Sequence, residues 1–234
     1  MAAAVFMLLA APLLHGKVTV TVAHNDNDSS TPAFRFEGVP PPAAKDAASN
    51  AVFTVVDGKR NTLGGDVGVL HDDKLPDGKD QPSANFYFAP GTQKGRLQID
   101  LGKVIDIKQV NTYSWHRAVR APQAYMLYAS DGTAPDFDPQ PKNGKKPEQC
   151  GWKRITLVDT RLIAGESPPG QYGVSISDSN PAATLGHYRY LLFTIYPSTK
   201  ADANGQTFYS EIDVIEARPA QEPAQEPQQE PAQP

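Results

Sequence analysis

Short apolar or aromatic runs recur along the chain at positions 18–22, 34–36, 52–56, 85–88, 97–101, 110–115, 125–129, 152–158, 188–195 and 212–215, with turn residues between nearly all of them. Within the most regular stretch Leu97, Ile99 and Leu101 alternate with polar partners, Ile105, Ile107 and Val110 form a second apolar set, and 125–129 make a third. Gly102 and the Asp131, Gly132 pair punctuate them. A period of two is the signature of strands with one buried face. No window is long enough for an amphipathic helix, and 22 Pro and 18 Gly are spread along the chain. The pattern predicts an all-β fold, a jelly-roll β-sandwich in which two sheets each lend an alternating apolar face to a shared core. Connecting loops then gather at the two ends, where binding chemistry is mounted.

Composition bounds this picture. The chain has 234 residues, 39% hydrophobic and 21% charged, with a net charge of -4, which suits one globular domain, placed at 17–218, with extended ends. An isoelectric point near 5.7 argues against a nucleic-acid partner, since phosphate binding needs clustered Lys and Arg. The one dense basic stretch, 142–146, sits among Pro and Gly and reads as a solvated loop. Cys150 is the only cysteine, so an intrachain disulfide and a cysteine zinc site are both excluded. Beside Gly151 and Trp152, at a strand entrance, it reads as structural.

At the amino terminus, 2–14 is an apolar run broken only by Pro12, shorter than the ~20 residues of a membrane-spanning helix. Residues 1–16 read as a signal peptide or truncated leader, which places the protein outside the cytoplasm, as secreted or at the cell surface or periplasm. The basic residues that usually precede such a core are missing, and a first buried strand or helix stands as the other reading. Residues 17–66 read as an N-terminal extension or as strands added to the sandwich. The segment 219–234 contains only Pro, Ala, Gln and Glu in a near-repeat of Ala-Gln-Glu-Pro. It is expected to be disordered or extended, as a semi-rigid acidic spacer or a plain solubilising tail.

The wording of the strands adds a resemblance. The stretch Leu-Gln-Ile-Asp-Leu-Gly-Lys-Val-Ile-Asp-Ile-Lys-Gln-Val (97–110) is followed by an aromatic strand ending at Trp115, then by Arg-Ala-Pro-Gln-Ala-Tyr-Met-Leu-Tyr-Ala-Ser-Asp-Gly (120–132). Trp152 opens a later strand, Tyr-Arg-Tyr-Leu-Leu-Phe (188–193) forms another, and Phe-Tyr-Ser-Glu-Ile-Asp-Val (208–214) closes the set. In this order, over about 70–216, the motifs resemble the discoidin family, also called the coagulation factor V/VIII type C domain. The resemblance implies a jelly roll of the galactose-binding-like type, similar to family 32 carbohydrate-binding modules. Such domains are usually non-catalytic and bind glycans, phospholipid head groups or proteins through end loops.

Many relatives hold a structural calcium between an Asp-Gly turn and a Glu on the last strand. By that resemblance Asp72 matches the Asp and Glu211 the Glu. Asp73 stands where Gly is expected, the Thr-x-Trp element is absent, and 77–83 lengthens the loop. Calcium takes about six to eight hard oxygens, and Asp72, Asp77, Asp80 and Glu211 with nearby backbone carbonyls are the candidates. Ordinary solvated loop carboxylates are the alternative. Asp57 and Gly58 repeat the Asp-Gly motif too far from the strand and read as a hairpin turn.

For a ligand the candidates are Trp115, His116, Arg117 and Arg120, where a strand enters a loop, with Tyr172 and Phe208 in loops reaching the same end. Sugars are held by an aromatic face and by Arg or Asn hydrogen bonds. The competing reading makes Trp115 a core residue and the arginines surface charges. No nucleophile elbow, His-Glu-x-x-His pair or phosphate-cradling Gly loop is present, so catalysis is not expected. The sequence thus points to a secreted binding module recognising a glycan or cell-surface polysaccharide. A structural or protein-interaction (adhesion) role on the same fold is the alternative.

Overall fold

The computed structural model describes residues 16–161, 168–199 and 205–217. The apolar run at 2–14 and the tail at 219–234 lie outside the described residues. Eight strands are described: β1 (Val18–Asn25), β2 (Val52–Asp57), β3 (Gly95–His116), β4 (Ala124–Ser130), β5 (Lys153–Asp159), β6 (Gly170–Asp178), β7 (Gly186–Ile195) and β8 (Tyr209–Glu216). They pair antiparallel in the order β1-β6-β3-β7-β4-β5, with β2 and β8 also bonded to β3. The chain is an all-β sandwich, as its alternation predicts.

β3 is the organiser. Its first part lies between β2 and β7, with Leu97 opposite both Val55 and Phe193. The β7 register then shifts between Asp100 and Ile105, so that residues 101–104 bulge. Gly102 makes the bend at φ +77, and its N–H donates to the Asp100 carboxylate at 2.8 Å. Past the bulge β3 pairs β7 again as far as Ile107, opposite Gly186, and then runs between β6 and β8, with Thr112 opposite Val174 and Ile212. One strand therefore serves both layers, and the apolar sets on either side of Gly102 face the same core. Leu97, Ile99, Ile107, Val110, Val174, Phe193 and Val214 are at most 1% exposed within it. Burying side chains of this size contributes about 1.5–3 kcal/mol each, the main force holding the layers together.

Three local expectations change. The 34–36 run is not a strand: Phe34 takes φ +45 and is fully buried against Tyr113 and Trp115 on the outer face of β3. Residues 85–88 make only isolated bridges, Phe86 to Tyr209 and Arg60 to Phe88. β6, absent from the expected runs, alternates Tyr172, Val174 and Ile176 and is central. The 17–66 region supplies β1 along β6 and β2 along β3. On the other layer, the 131–152 loop packs Cys150 and Trp152 over Tyr128 and Leu192.

Candidate functional site

Antiparallel register places the ends of β1 and β3 and the starts of β6 and β8 together, with Asn25 opposite Gln171, His116 opposite Gly170, and Ser114 opposite Tyr209. The loop from β3 to β4 (117–123) is fastened there from several sides. The Ser114 hydroxyl donates to the Ala121 carbonyl at 2.6 Å, and the Phe208 N–H donates to the Arg120 carbonyl at 2.9 Å. The Arg117 N–H donates to the Lys79 carbonyl at 2.7 Å, which ties in the long 71–85 loop. At the base of the loop Gln123 is fully buried. Its amide donates to the Thr112 carbonyl, the Ser114 hydroxyl and the Tyr172 carbonyl at 3.2–3.3 Å and accepts from the Thr112 hydroxyl at 2.5 Å. A buried amide with its hydrogen bonds made is rigid, because every alternative leaves a polar atom unpaired in low dielectric.

On this base sits a cluster of charge and rings. Tyr87 and Phe208 stack with centroids 4.2 Å apart, and the Arg120 guanidinium carbon lies 5.0 Å from the Phe208 centroid and 5.4 Å from that of Tyr87. His116 meets Phe208 edge-on at 4.7 Å. Arg117 Nε donates to Asp80 Oδ2 at 2.7 Å, and His116 Nε2 lies 3.8 Å from Asp80 Oδ1. His116 Nδ1 accepts the Ala118 N–H at 2.9 Å, so the neutral ring carries its proton on Nε2, toward Asp80. Burial lowers the His116 pKa, which keeps the ring neutral near neutral pH. Burial likewise raises that of Tyr87, so its hydroxyl stays protonated. The arrangement offers an oriented guanidinium, an imidazole N–H and a carboxylate over an aromatic floor. Such a set can donate to and accept from neighbouring hydroxyl groups at once.

Of the six expected ligand residues, His116, Arg117, Arg120 and Phe208 are brought together. Phe208 is fully buried and supports Arg120 from beneath, so its face is not open. Trp115 and Tyr172 stand apart from the cluster. The Trp115 indole is 4% exposed and packs edge-on against Phe34 at 5.7 Å, because the N-terminal segment covers that face of β3. Tyr172 is equally buried, with its hydroxyl donating to the Pro168 carbonyl at 2.9 Å and its ring 4.6 Å from His24. Tyr87 and Gln123 are parts of the site that the sequence did not single out. Tyr87 carries no local signal, because its partners Arg120 and Phe208 lie far away along the chain, and Gln123, bonded to nearby Thr112 and Ser114, reads in the sequence as an ordinary polar loop residue.

The four expected metal-binding carboxylates are divided. Asp80 turns to Arg117, and Asp77 bonds Gln81 through both its N–H and its side chain. These two carboxylates are held by neighbours of their own loop end. Asp72 caps its own turn by accepting the Lys74 N–H at 3.0 Å. Glu211 is buried, and burial together with Asp213, Asp72, Asp73 and Asp46 pushes its pKa up to about 9. Burial and Asp46 push Asp213 up to about 7. Glu211 Oε2 and Asp213 Oδ1 are buried without a hydrogen-bond partner. Among the described residues no group of three or more His, Cys, Asp or Glu side chains has the geometry to hold a metal ion.

No family model matches the chain, and no curated protein matches it. Solved structures align with it at low identity. CpGH89CBM32-6, produced by Clostridium perfringens, is 15% identical over 74% of this chain and 100% of its own, with a TM-score of 0.42. A fucose binding module, SpX-3, of Streptococcus pneumoniae is 9% identical over 74% of this chain and 99% of its own, with a TM-score of 0.46. The family 32 carbohydrate-binding module of C. perfringens NanJ, solved in complex with galactose, is 8% identical over 72% and 95%, with a TM-score of 0.43. These neighbours are carbohydrate-binding modules of the discoidin, galactose-binding-like type. Among the described residues no helix is long and apolar enough to cross a membrane.

Proposed function

We propose that the chain is a secreted, non-catalytic carbohydrate-binding module whose ligand face is the loop end built around Arg120. One observation carries this reading: the Arg120 guanidinium is held over Phe208 and Tyr87, with His116 and the Asp80–Arg117 pair beside it. A sugar ring presents adjacent hydroxyls that each donate and accept, and the fixed guanidinium, the imidazole N–H and the carboxylate answer that pattern. Preorganisation by Gln123 and the 117–123 loop hydrogen bonds reduces the ordering cost of binding a small polar ligand. The test is a glycan array probed with the full chain and with Arg120→Ala. The wild type should bind at least one glycan class, and the variant should lose it.

A structural calcium belongs to the same proposal, in a reduced form centred on Glu211 and the 70–74 loop. Support comes from donor chemistry: Glu211 and Asp213 each bury an unpartnered carboxylate oxygen, and the charges that most affect Glu211 are other carboxylates. A hard divalent cation bound by Glu211 and loop oxygens, Asp72 among them, offsets that unfavourable burial of acid.

A further inference from the structure

The 142–146 stretch, which reads as a solvated basic loop in the sequence, closes over a cavity. The loop rests on the outer face of β3 and β7, where Arg96 pairs with Thr194 across the strands. Its backbone wraps the Arg96 guanidinium, which donates to the carbonyls of Pro141, Lys142 and Lys145. Between loop and sheet lies a cavity of about 480 Å³ lined by Lys94, Arg96, Lys145 and Lys146, with Glu148 as the one carboxylate and Tyr128 and Tyr196 as its aromatic side.

Three observations make it more than a patch of surface lysines. Arg96 is 5% exposed, yet its Nε–H has no partner, and the Thr194 hydroxyl, 4% exposed, has none either. A buried unpaired donor is unfavourable, and the two residues that carry them both belong to the lining of the same cavity. Lys145 is engaged with Asp138 at 2.9 Å, whereas Lys94 and Lys146 make no ion pair among the described residues. Gly144, at φ +96, has nothing within 4 Å of where a Cβ would stand, so the backbone there is open to a ligand. In a chain of net charge -4, this cavity collects cations and donors.

We infer that this cavity is a second ligand site, for a sugar bearing an oxyanion, either a uronate carboxylate or a sulfate ester. Lys94 and Lys146 meet the charge, Arg96 and Thr194 belong to the lining beneath them, and the tyrosines border the ring. The site shares no lining residue with the Arg120 cluster and stands whether or not that cluster binds neutral sugar.

The experiment is calorimetric titration of the full chain at low ionic strength with three oligosaccharides of equal length: a galacturonate, a sulfated galactan and a neutral galactan. The acidic probes are used on wild type and on Lys94→Ala/Lys146→Ala, whose exposed positions leave the thermal midpoint unchanged. Wild type should bind one or both acidic probes more tightly than the neutral one, and added salt should weaken that binding. The double variant should lose it by about tenfold or more. Binding of only the galacturonate, or only the sulfated probe, supports the site and names its oxyanion. No acidic binding by wild type, or equal binding by the double variant, overturns it.

Discussion

The guanidinium of Arg120 lies 5.0 Å from the centre of the Phe208 ring, while the Phe208 N–H donates to the Arg120 carbonyl, so side chain and backbone fix the same pair twice. A lysine at 120 keeps the charge and loses the planar, stacked fork. Arg120→Lys should therefore fold with a thermal midpoint close to wild type and bind its glycan at least about tenfold more weakly, since each lost tenfold corresponds to about 1.4 kcal/mol. Equal binding by the lysine variant contradicts a role for the oriented fork.

Gln123 predicts a stability effect. Removing its amide leaves the Thr112 hydroxyl, the Ser114 hydroxyl and the Tyr172 carbonyl short of partners in a fully buried place. Gln123→Ala should lower the unfolding free energy by about 2–4 kcal/mol, read by denaturant titration, because each stranded buried group costs about 1–3 kcal/mol. A loss under about 1 kcal/mol shows that the network does not fasten the loop.

The regular parts of the fold were legible in the sequence because their signals are local. Leu97, Ile99 and Leu101 alternate within one strand, and Gly102 marks the bend that lets β3 serve both layers. Phe34 misled because an apolar run reads the same in a strand and in a covering loop. Only its φ of +45 and its contact with Trp115 tell the two apart. Tyr172, Val174 and Ile176 carried a clear alternation, but Gly173 and two serines make the stretch polar on average. For the site, His116, Arg117 and Arg120 were visible as a polar group at a strand end. Tyr87 and Asp80 join them through contacts between distant segments, which no spacing in the chain encodes, and Gln123 joins from the base of the same loop through Thr112 and Ser114.

Asp100 gives a pH prediction. It accepts hydrogen bonds from Arg189 Nε at 2.7 Å and Nη2 at 2.9 Å, and these hold its carboxyl below the usual carboxylate range. A carboxylate more acidic in the folded than in the unfolded chain contributes stability above the unfolded value, near 3.8, and loses it as pH falls through the folded value. Asp100→Asn should thus be less stable than wild type at about pH 7, with the difference closing toward about pH 2, where both side chains are neutral. A gap that persists unchanged in acid places the effect in packing.

Glu211 gives the metal prediction. If a hard cation binds only the folded chain, calcium must raise the thermal midpoint and chelator lower it. Glu211→Gln should abolish the calcium response, Asp72→Ala should weaken it, and Asp57→Ala, whose carboxylate accepts the Asn143 and Gly58 N–H groups elsewhere, should leave it intact. No shift of the wild-type midpoint at millimolar calcium removes the ion from the account.

The central claim, a glycan site at the Arg120 end of the sandwich, is tested most directly by one array measurement on the full chain in calcium. Wild type, Arg120→Ala and Trp115→Phe are compared side by side. The account predicts a defined set of glycans bound by wild type and by Trp115→Phe, whose ring lies behind Phe34, and the same glycans unbound by a folded Arg120→Ala. Absence of any bound glycan, or an unchanged pattern with Arg120→Ala, contradicts it.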